Sequence, residues 1–337
     1  MVRFVLGVED LARTRFGISP LTETVCSVVA VSDPNWHTLH LPWLRGVRSG
    51  LGRVDMSLLL SLVGATRGLR RFRSGPSRAI PDFLTPRPTR FAPRFEDELA
   101  IVRATAPEIV RRDLLATHAP DPVPEALAAA TRRGRRPVTA LRDRICDELA
   151  HYHDVAIAPS WPEMRLVLEG DTTYRARRLA TGGARLLFAD MHPNLRWRDG
   201  VLYVEEMISD HTVQAAGRGL LLIPSIFAVK PAPPLVEEEA PSLLYPTRGI
   251  GTLWSPPPPI PRSALAALIG SPRAQLLDML AEPLPTVELA RRLKVTPSAV
   301  SQQLKVLHAT GLVTRARDGR QVLYRRTTLA DQLAGGA

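Results

Sequence analysis

Cysteine and lysine are both scarce in this chain of 337 residues. The two cysteines, Cys26 and Cys146, lie far apart, and neither has a partner at the spacing of a metal or redox motif. We expect both to be reduced thiols in the core or at the surface. Lysine occurs only at Lys230, Lys294 and Lys305, so the net charge of +11 comes almost entirely from arginine.

Long apolar runs are also missing. No run reaches the roughly 18 residues that cross a bilayer, and Glu9 and Asp10 interrupt the first apolar stretch before it resembles a secretory signal. A hydrophobic fraction of 45% and a charged fraction of 23% are typical of a soluble globular protein. The sequence therefore predicts a cytoplasmic protein with no membrane segment.

The N-terminal part, residues 1–229, reads mainly as helix. Ser19 and Pro20 have the pattern of a helix cap followed by proline at the first helical position. Helical spacing continues through residues 95–116 and 138–158, and it is longest at 161–191, where Gly182 and Gly183 predict a break.

The hydrophobic period then changes from helix to strand. Asp199-Gly200 lies between alternating apolar and polar residues, which is a strong hairpin signal. Residues 220–228 read as a buried strand containing Pro224, and residues 70–93, rich in Arg and Pro, read as an exposed loop. We expect an α+β protein whose mostly helical N-terminal domain ends in a small antiparallel sheet and is followed by a C-terminal winged helix-turn-helix.

Residues 230–261 are rich in proline, with four consecutive prolines before Ile260 and a possible strand at Ser242 to Tyr245. Such a composition favours an extended, semi-rigid linker between two folded domains. A proline-rich ligand for a partner protein is the alternative, although the flanks carry no basic specificity pattern. The acidic residues Glu237 to Glu239 read as a solvated patch in this linker.

The last segment, residues 262–337, contains two short amphipathic helices, a tight turn and a basic hairpin in immediate succession. This is the order of a winged helix-turn-helix. Thr286 is predicted to cap the first of these helices, Lys294-Val295 to form the turn, and Thr296 to cap the recognition helix with Pro297 at its first position. Eleven Lys or Arg residues against five Asp or Glu in this segment suit a polyanionic partner.

The recognition helix has two distinct faces. At about 100° per residue, Val300, Leu304 and Leu307 fall within about 60° of one another and form the buried stripe. Ser298, Ser301, Gln302 and Lys305 lie on the opposite face, between about 100° and about 200° from Val300, whereas Gln303 flanks the stripe. Gln can pair with adenine, Ser adapts to several bases or phosphates, and Lys305 suits a phosphate or a base.

The hairpin that follows is expected to form the wing. A strand starts at Leu312-Val313, Asp318-Gly319 turns it, and Gln321 to Arg325 returns. Guanidinium groups around the tip can enter a minor groove or bind flanking phosphates. Candidate DNA contacts are therefore Thr296, Pro297, Ser298, Ser301, Gln302, Lys305, Arg315, Arg317 and Arg320. A stable three-helix unit with a solvated basic hairpin is the simpler alternative.

The segment VELARRLKVTPSAVSQQLKVLHATGLVTRARDGRQVLYR resembles the winged helix of the ArsR/SmtB family of bacterial transcriptional regulators. The resemblance covers about the last quarter of the chain. It implies a homodimeric, repressor-type regulator that binds a pseudo-palindromic operator in double-stranded DNA and responds to a ligand. The family's groove-facing positions correspond to Ser298, Ser301 and Gln302.

Two departures from the family pattern argue against metal sensing. The helix before the recognition helix carries no Cys or His between Val287 and Lys294, although many members place a Cys-x-Cys motif there. The C-terminal helix that holds ligands in other members is reduced here, with only Asp331 available. The signal, an unknown small-molecule effector, is therefore expected to act through the N-terminal domain.

The N-terminal region also resembles that of a subgroup of such regulators, through ISPLTETV, WPEMRLVLEGDTTYRARRLATGG and LYPTRGIGTLW. This likeness supports a two-domain regulator without defining the signal.

Other candidate sites have weaker patterns. His151 and His153 would lie about 200° apart on a helix, which does not suit a shared metal. No spacing selects Glu169, Asp171, Glu205 or Glu206 as a catalytic pair. Gly217-Arg218-Gly219 precedes a strand and is expected to be a turn. We therefore predict no enzyme activity, no cofactor and no metal site; the alternative is an enzyme or small-molecule-binding protein whose winged helix serves for protein contact or localisation.

Replacing Gln302 by Ala is expected to weaken specific operator binding by about 1 to 3 kcal/mol if the amide reads a base. Arg317→Ala is expected mainly to reduce the salt dependence of binding, because it removes a phosphate contact. Both effects are measured by operator titration at several salt concentrations, and unchanged affinity in the double variant would contradict these roles.

Overall fold

The computed structural model of the protein describes residues 1–65, 78–132, 135–207, 210–234, 241–254, 262–318 and 321–334. The chain divides into two compact units, Met1–Ser255 and Pro256–Ala337. Parts of the predicted loop at 70–93, the acidic patch at Glu237 to Glu239, the proline run after Ser255, and Gly319 with Arg320 lie outside the described residues.

Nine α-helices contain about half of the described residues of the first unit. They are α1 (Val8–Ala12), α2 (Pro20–Ser32), α3 (Leu41–Val47), α4 (Met56–Ser61), α5 (Phe95–Ala104), α6 (Pro107–His118), α7 (Glu125–Arg132), α8 (Arg135–Ala156) and α9 (Trp161–Phe188).

The strands of the first unit form three sheets in the described residues. They are β1 (Val2–Val5), β2 (Arg15–Phe16), β3 (Gly64–Ala65), β4 (Arg78–Ala79), β5 (Leu195–Arg198), β6 (Val201–Val204), β7 (His211–Gln214), β8 (Leu221–Ser225) and β9 (Ser242–Pro246). The strand orders are β5-β6-β1-β7, β2-β8-β9 and β3-β4.

The α+β class is confirmed, but the sheets differ in detail from the predicted antiparallel one. The β5–β6 hairpin is antiparallel, with Asp199 and Gly200 both at positive φ as its tight turn requires. Strand β1 pairs antiparallel with β6 and parallel with β7, while β2, β8 and β9 run parallel. The β1–β6, β1–β7 and β2–β8 pairings join residues about 200 positions apart in the chain, a distance that local alternation does not reveal.

Helix α2 passes through the main core of the first unit. Ser19 caps it as predicted, because its hydroxyl accepts a hydrogen bond from the Thr22 N–H at 2.9 Å. Most of its residues are buried, including several polar ones. Helix α8 packs beside it, and Leu141, Ile145 and Leu149, the three positions at helical spacing in the sequence, are buried in the same core. Cys26 and Cys146 are both buried free thiols.

The buried polar groups of α2 have specific partners. The Glu23 carboxylate accepts the Ile226 N–H at 3.1 Å to each oxygen. Glu98 accepts the Ser19 hydroxyl at 2.9 Å and the Leu21 N–H at 3.0 Å. Burial raises the pKa of Glu23 to about 8 and that of Glu98 to about 7, since desolvation disfavours their charged forms.

Helix α9 bends at the predicted glycine pair, where Gly183 has φ +61°. The chain then folds back: Arg178 Nε donates to the Leu186 carbonyl at 3.0 Å, and Arg175 Nη1 donates to Asp190 at 2.6 Å. Arg175 is fully buried. A buried charge of this kind requires opposite charge and hydrogen bonds around it, which fixes the direction of the chain after the bend.

Asp171 connects α9 to strand β9 and the following turn. Its carboxylate accepts the Tyr245 hydroxyl at 2.8 Å and the Arg248 N–H at 3.3 Å. Two of the three N-terminal segments that carry the family likeness thus meet through one buried carboxylate. Residues 241–254 accordingly belong to the first unit.

The second unit contains α10 (Arg262–Ile269), α11 (Ser271–Met279), β10 (Leu284–Pro285), α12 (Thr286–Leu293), α13 (Pro297–Ala309), β11 (Val313–Asp318), β12 (Gln321–Arg326) and α14 (Thr328–Leu333). Its strands form one sheet of order β10-β12-β11, and it has a core of its own. Among the described residues of the chain, no helix is both long and apolar enough to cross a membrane.

Replacing Glu23 by Gln is expected to flatten the pH dependence of stability. A carboxyl group whose pKa is raised by folding contributes stability below its unfolded pKa and loses it as the pH rises through the folded value, here about 8. Wild-type protein should therefore lose about 1 to 3 kcal/mol more unfolding free energy than Glu23→Gln between pH 5 and pH 8. Urea titrations at both pH values measure this difference.

The control for that experiment is Glu125→Gln, which removes an exposed carboxylate at the start of α7. It should show the wild-type pH profile. Equal profiles for wild type and Glu23→Gln would contradict the buried, protonated state of Glu23.

Candidate nucleic-acid interface

Helices α12 and α13 form the helix-turn-helix of the second unit. Leu289 and Ala290 of α12 and Leu276 and Leu277 of α11 are buried in a common core with α13. The start of α12 differs slightly from the prediction: Pro285 occupies the cap position and Thr286 is the first helical residue, with no side-chain cap hydrogen bond. Glu288 lies in the first turn, where a negative charge is stabilised by the helix dipole.

The turn between the two helices depends on Lys294. Its backbone is left-handed, with φ +56° and ψ +43°, and it ends α12. The Val295 N–H donates to the Ala290 carbonyl at 3.1 Å and closes the turn. This conformation is unusual for a residue with a side chain, and it sets the angle at which α13 starts.

Helix α13 begins as predicted. Thr296 is the cap, and its hydroxyl accepts the Ala299 N–H at 3.3 Å. The Thr296 and Ser298 hydroxyls are 3.0 Å apart and hydrogen-bonded. Pro297 occupies the first helical position, where its missing N–H costs no helical hydrogen bond.

The two faces of α13 are arranged as the sequence predicts. Val300, Leu304 and Leu307 have relative exposures of 2%, 0% and 1% and pack into the core of the second unit. Ser298, Ser301, Gln302 and Lys305 are all exposed. Gln303 is only partly exposed, and its side-chain oxygen accepts a hydrogen bond from Arg273 Nε at 2.9 Å. Gln303 therefore holds α13 against α11.

The wing is the hairpin of β11 and β12. Its register pairs Arg315 with Tyr324 and Arg317 with Val322, so both arginines project from the face that carries buried Val313. Arg315 and Arg317 are exposed. Arg320 lies outside the described residues, so its predicted contact stays a prediction.

Arg325 is an exposed cation that the sequence analysis did not select. It pairs with Thr314 and so projects from the opposite face of the hairpin to Arg315. Alternation by two along β12 could have revealed this placement.

Two further arginines lie on α12. Glu288 accepts hydrogen bonds from Arg291 and Arg292, and the shortest distance to each arginine is 2.7 Å. These hydrogen bonds lower the pKa of Glu288 to about 2, and the one from Arg291 has the largest effect. The three side chains form a surface ion-pair cluster, and part of the positive charge of α12 is thereby offset within the unit.

The other residues considered as metal ligands in the sequence do not come together in one site. Asp331 on α14 pairs with Arg326 of β12. His153 is buried against Phe95 and forms a hydrogen bond with the Thr24 hydroxyl at 2.9 Å, whereas His151 is exposed. Burial lowers the pKa of His153 to about 4.

This arrangement, a polar recognition helix beside a basic hairpin, defines a winged helix-turn-helix. The MarR family model matches residues 264–321. The HTH-type transcriptional regulator NmtR of Mycobacterium tuberculosis is 43% identical over 63 residues, which are 18% of this chain and 52% of that protein. The chain thus spans about half the length of this curated relative, and no solved structure gives a significant match.

The matched residues of the MarR family model fall on the second unit, and the curated relative is by its name a transcriptional regulator. Together with the geometry, they support a winged-helix transcriptional regulator that binds DNA.

Replacing Lys294 is expected to separate the roles of its backbone and its charge. Lys294→Gly and Lys294→Val remove the same charge, but only Val clashes in the left-handed conformation. The free energy of local opening of the α12–α13 segment should be lower in the Val variant than in the Gly variant by about 1 to 3 kcal/mol. Hydrogen exchange of residues 286–309 in the full chain measures this, and equal exchange in the two variants would contradict it.

Proposed function

We propose that the chain is a homodimeric, sequence-specific transcriptional repressor of the ArsR/SmtB type, whose signal is sensed by the N-terminal unit. The observation that carries the proposal is the pairing of a buried apolar stripe on α13 with an exposed polar face. An exposed helix with this polarity fits the major groove, which is wide enough to admit one.

In this proposal, Gln302 and Ser301 contact base edges, and Lys305 contacts a phosphate or a base. The start of α13, with Thr296, Pro297 and Ser298, approaches the phosphate backbone, which the positive end of the helix dipole favours. Arg315, Arg317 and Arg320 place the wing at the adjacent minor groove or its phosphates. Contacts of these guanidinium groups with phosphates would position the wing without reading the base sequence.

Dimerisation is proposed from the ArsR/SmtB likeness and is assigned to the N-terminal unit, because α10 and α14, which flank the winged helix in the described residues, are only 8 and 6 residues long. Two recognition helices related by a two-fold axis would read two half-sites of a pseudo-palindromic operator.

The proposed function is tested by gel shift against the DNA directly upstream of the chain's own gene. We expect a discrete complex that survives at about 200 mM salt, competed by the same fragment and not by a shuffled fragment of equal composition. Sequence-independent binding that disappears as the salt rises would instead favour an enzyme or small-molecule-binding protein with an appended winged helix.

Removing the residues after Pro261 tests where dimerisation and sensing reside. We expect the fragment 1–261 to stay folded, because the first unit has its own cores, and to remain dimeric. Light scattering after size exclusion measures its mass. A monomeric fragment would contradict the assignment of dimerisation to the N-terminal unit.

A further inference from the structure

The first unit contains a cavity of about 830 Å³ that is partly open to solvent. Its walls include residues of α2, α5, α6 and β8, together with the segment 230–234. Binding sites for small molecules commonly have volumes of about 300 to 1,000 Å³. The cavity is therefore large enough for a small organic ligand.

The lining is mainly apolar. Phe83, Ile101, Ile109, Met207 and Leu244 contribute large side chains, and several prolines and alanines are among the other lining residues. Ile101 and Ile109 have relative exposures of 41% and 40%, unusually high for isoleucine. Because both side chains line the cavity, a bound ligand would cover this exposed apolar surface.

The charged residues in the lining are mostly cationic. Arg78, Arg87, Arg112 and Lys230 line the cavity, against Asp82 and Asp113. Asp113 is satisfied within the protein, because it accepts the Phe83 N–H and Arg112 Nε, both at 2.9 Å. The lining thus has more positive than negative charge.

The buried polar atoms of the lining that have no hydrogen-bond partner among the described residues include the hydroxyl oxygen of Thr22 and Nε of Arg78. Arg78 donates to Asp33 through Nη2 at 2.8 Å, so its Nε–H is a separate donor. Buried donors are almost always paired, and an unpaired one costs about 1 to 3 kcal/mol. Both groups can donate to an acceptor oxygen.

Lys230 is one of the four cations of the lining. Burial lowers the pKa of its ammonium group because the charged form loses hydration, while Glu206 acts in the opposite direction. An anionic group in the cavity would supply additional compensation.

We propose that this cavity is the effector site and that its ligand is an organic acid with an apolar body. The acid group accepts hydrogen bonds from Thr22 and Arg78, and the apolar body contacts the Phe83, Ile101 and Ile109 side of the lining. The role of this ligand as an effector rests on the proposed function, in which the N-terminal unit senses the signal. The binding site itself is independent of DNA.

The test uses two fluorescent probes with the same aromatic rings. They are 1-anilinonaphthalene-8-sulfonate, which is anionic, and N-phenyl-1-naphthylamine, which is neutral. Titration of the full chain without DNA should show one saturable site for the anion, with at least about fivefold weaker binding of the neutral probe. Equal affinities, or binding that does not saturate, would overturn the proposed ligand class.

Matched variants locate the probe. Ala104 is exposed and lines the cavity, so Ala104→Trp should block the site and abolish the saturable binding. Ala116→Trp, at an exposed position of α6 that is not among the cavity-lining residues, should leave it unchanged. Unchanged binding in the Ala104→Trp protein would overturn the location.

Thr22→Val separates binding from folding. Because the Thr22 hydroxyl has no partner in the described part of the chain, its removal should not lower the urea midpoint of unfolding. The substitution should weaken binding of the anionic probe about fivefold or more. Wild-type affinity for the anion would overturn the role of this hydroxyl and, with it, the proposed acid subsite.

A gel shift with the same protein distinguishes the two proposals. Specific probe binding without specific DNA binding would contradict the proposed function and leave the site supported. Specific DNA binding without specific probe binding would contradict the site and leave the proposed function supported.

Discussion

Burial of Val300, Leu304 and Leu307 is the constraint on which the candidate interface depends. These three side chains fix the rotation of α13 about its own axis, because turning the helix would expose them and bury Ser301, Gln302 and Lys305. Burying an unpaired ammonium or amide costs several kcal/mol, whereas each apolar side chain gains about 1.5 to 3 kcal/mol on burial. The polar face is outward for this reason, before any partner is considered.

The positions around α13 refine that placement. Lys294 sets the entry to the helix through its left-handed backbone, and the Arg273–Gln303 hydrogen bond holds one flank against α11. Gln303 illustrates why residue type alone is insufficient: it is adjacent to Gln302 in sequence, yet its side chain serves the packing of the unit. The 100° step between them separates a candidate base contact from a structural one.

The N-terminal unit is organised around buried polar groups as much as around apolar ones. Glu23 and Glu98 hold the start of α2, while Asp171 connects α9 with strand β9 and pairs with the buried Arg175. Such groups are stable only when their partners are in place, and they therefore specify one arrangement of these helices and strands. The same unit contains the cavity lined by Thr22, whose hydroxyl lacks a protein partner in the described residues.

Local features of the fold could be predicted from the sequence. The Ser19 cap, the Gly183 bend, the Asp199-Gly200 hairpin turn and the stripe of α13 each arise from residues within a few positions of one another. The pairing of β1 with β6 and β7 and the Asp171–Tyr245 contact join distant segments, so periodicity could not reveal them. The cavity could not be predicted from the sequence for the same reason, because its lining comes from many segments between Thr22 and Leu244.

The most direct test of the central claim is to map what the outer face of α13 touches on DNA. Cys26 and Cys146 are buried, so Ser301→Cys introduces one exposed thiol among the described residues, which can carry an azidophenacyl photo-crosslinker. On the upstream DNA fragment, this label should crosslink to bases within a protected site, whereas the same label on Leu329→Cys of α14 should give little crosslinking. Crosslinking from position 329 with none from position 301 would contradict the assignment of α13 as the recognition helix.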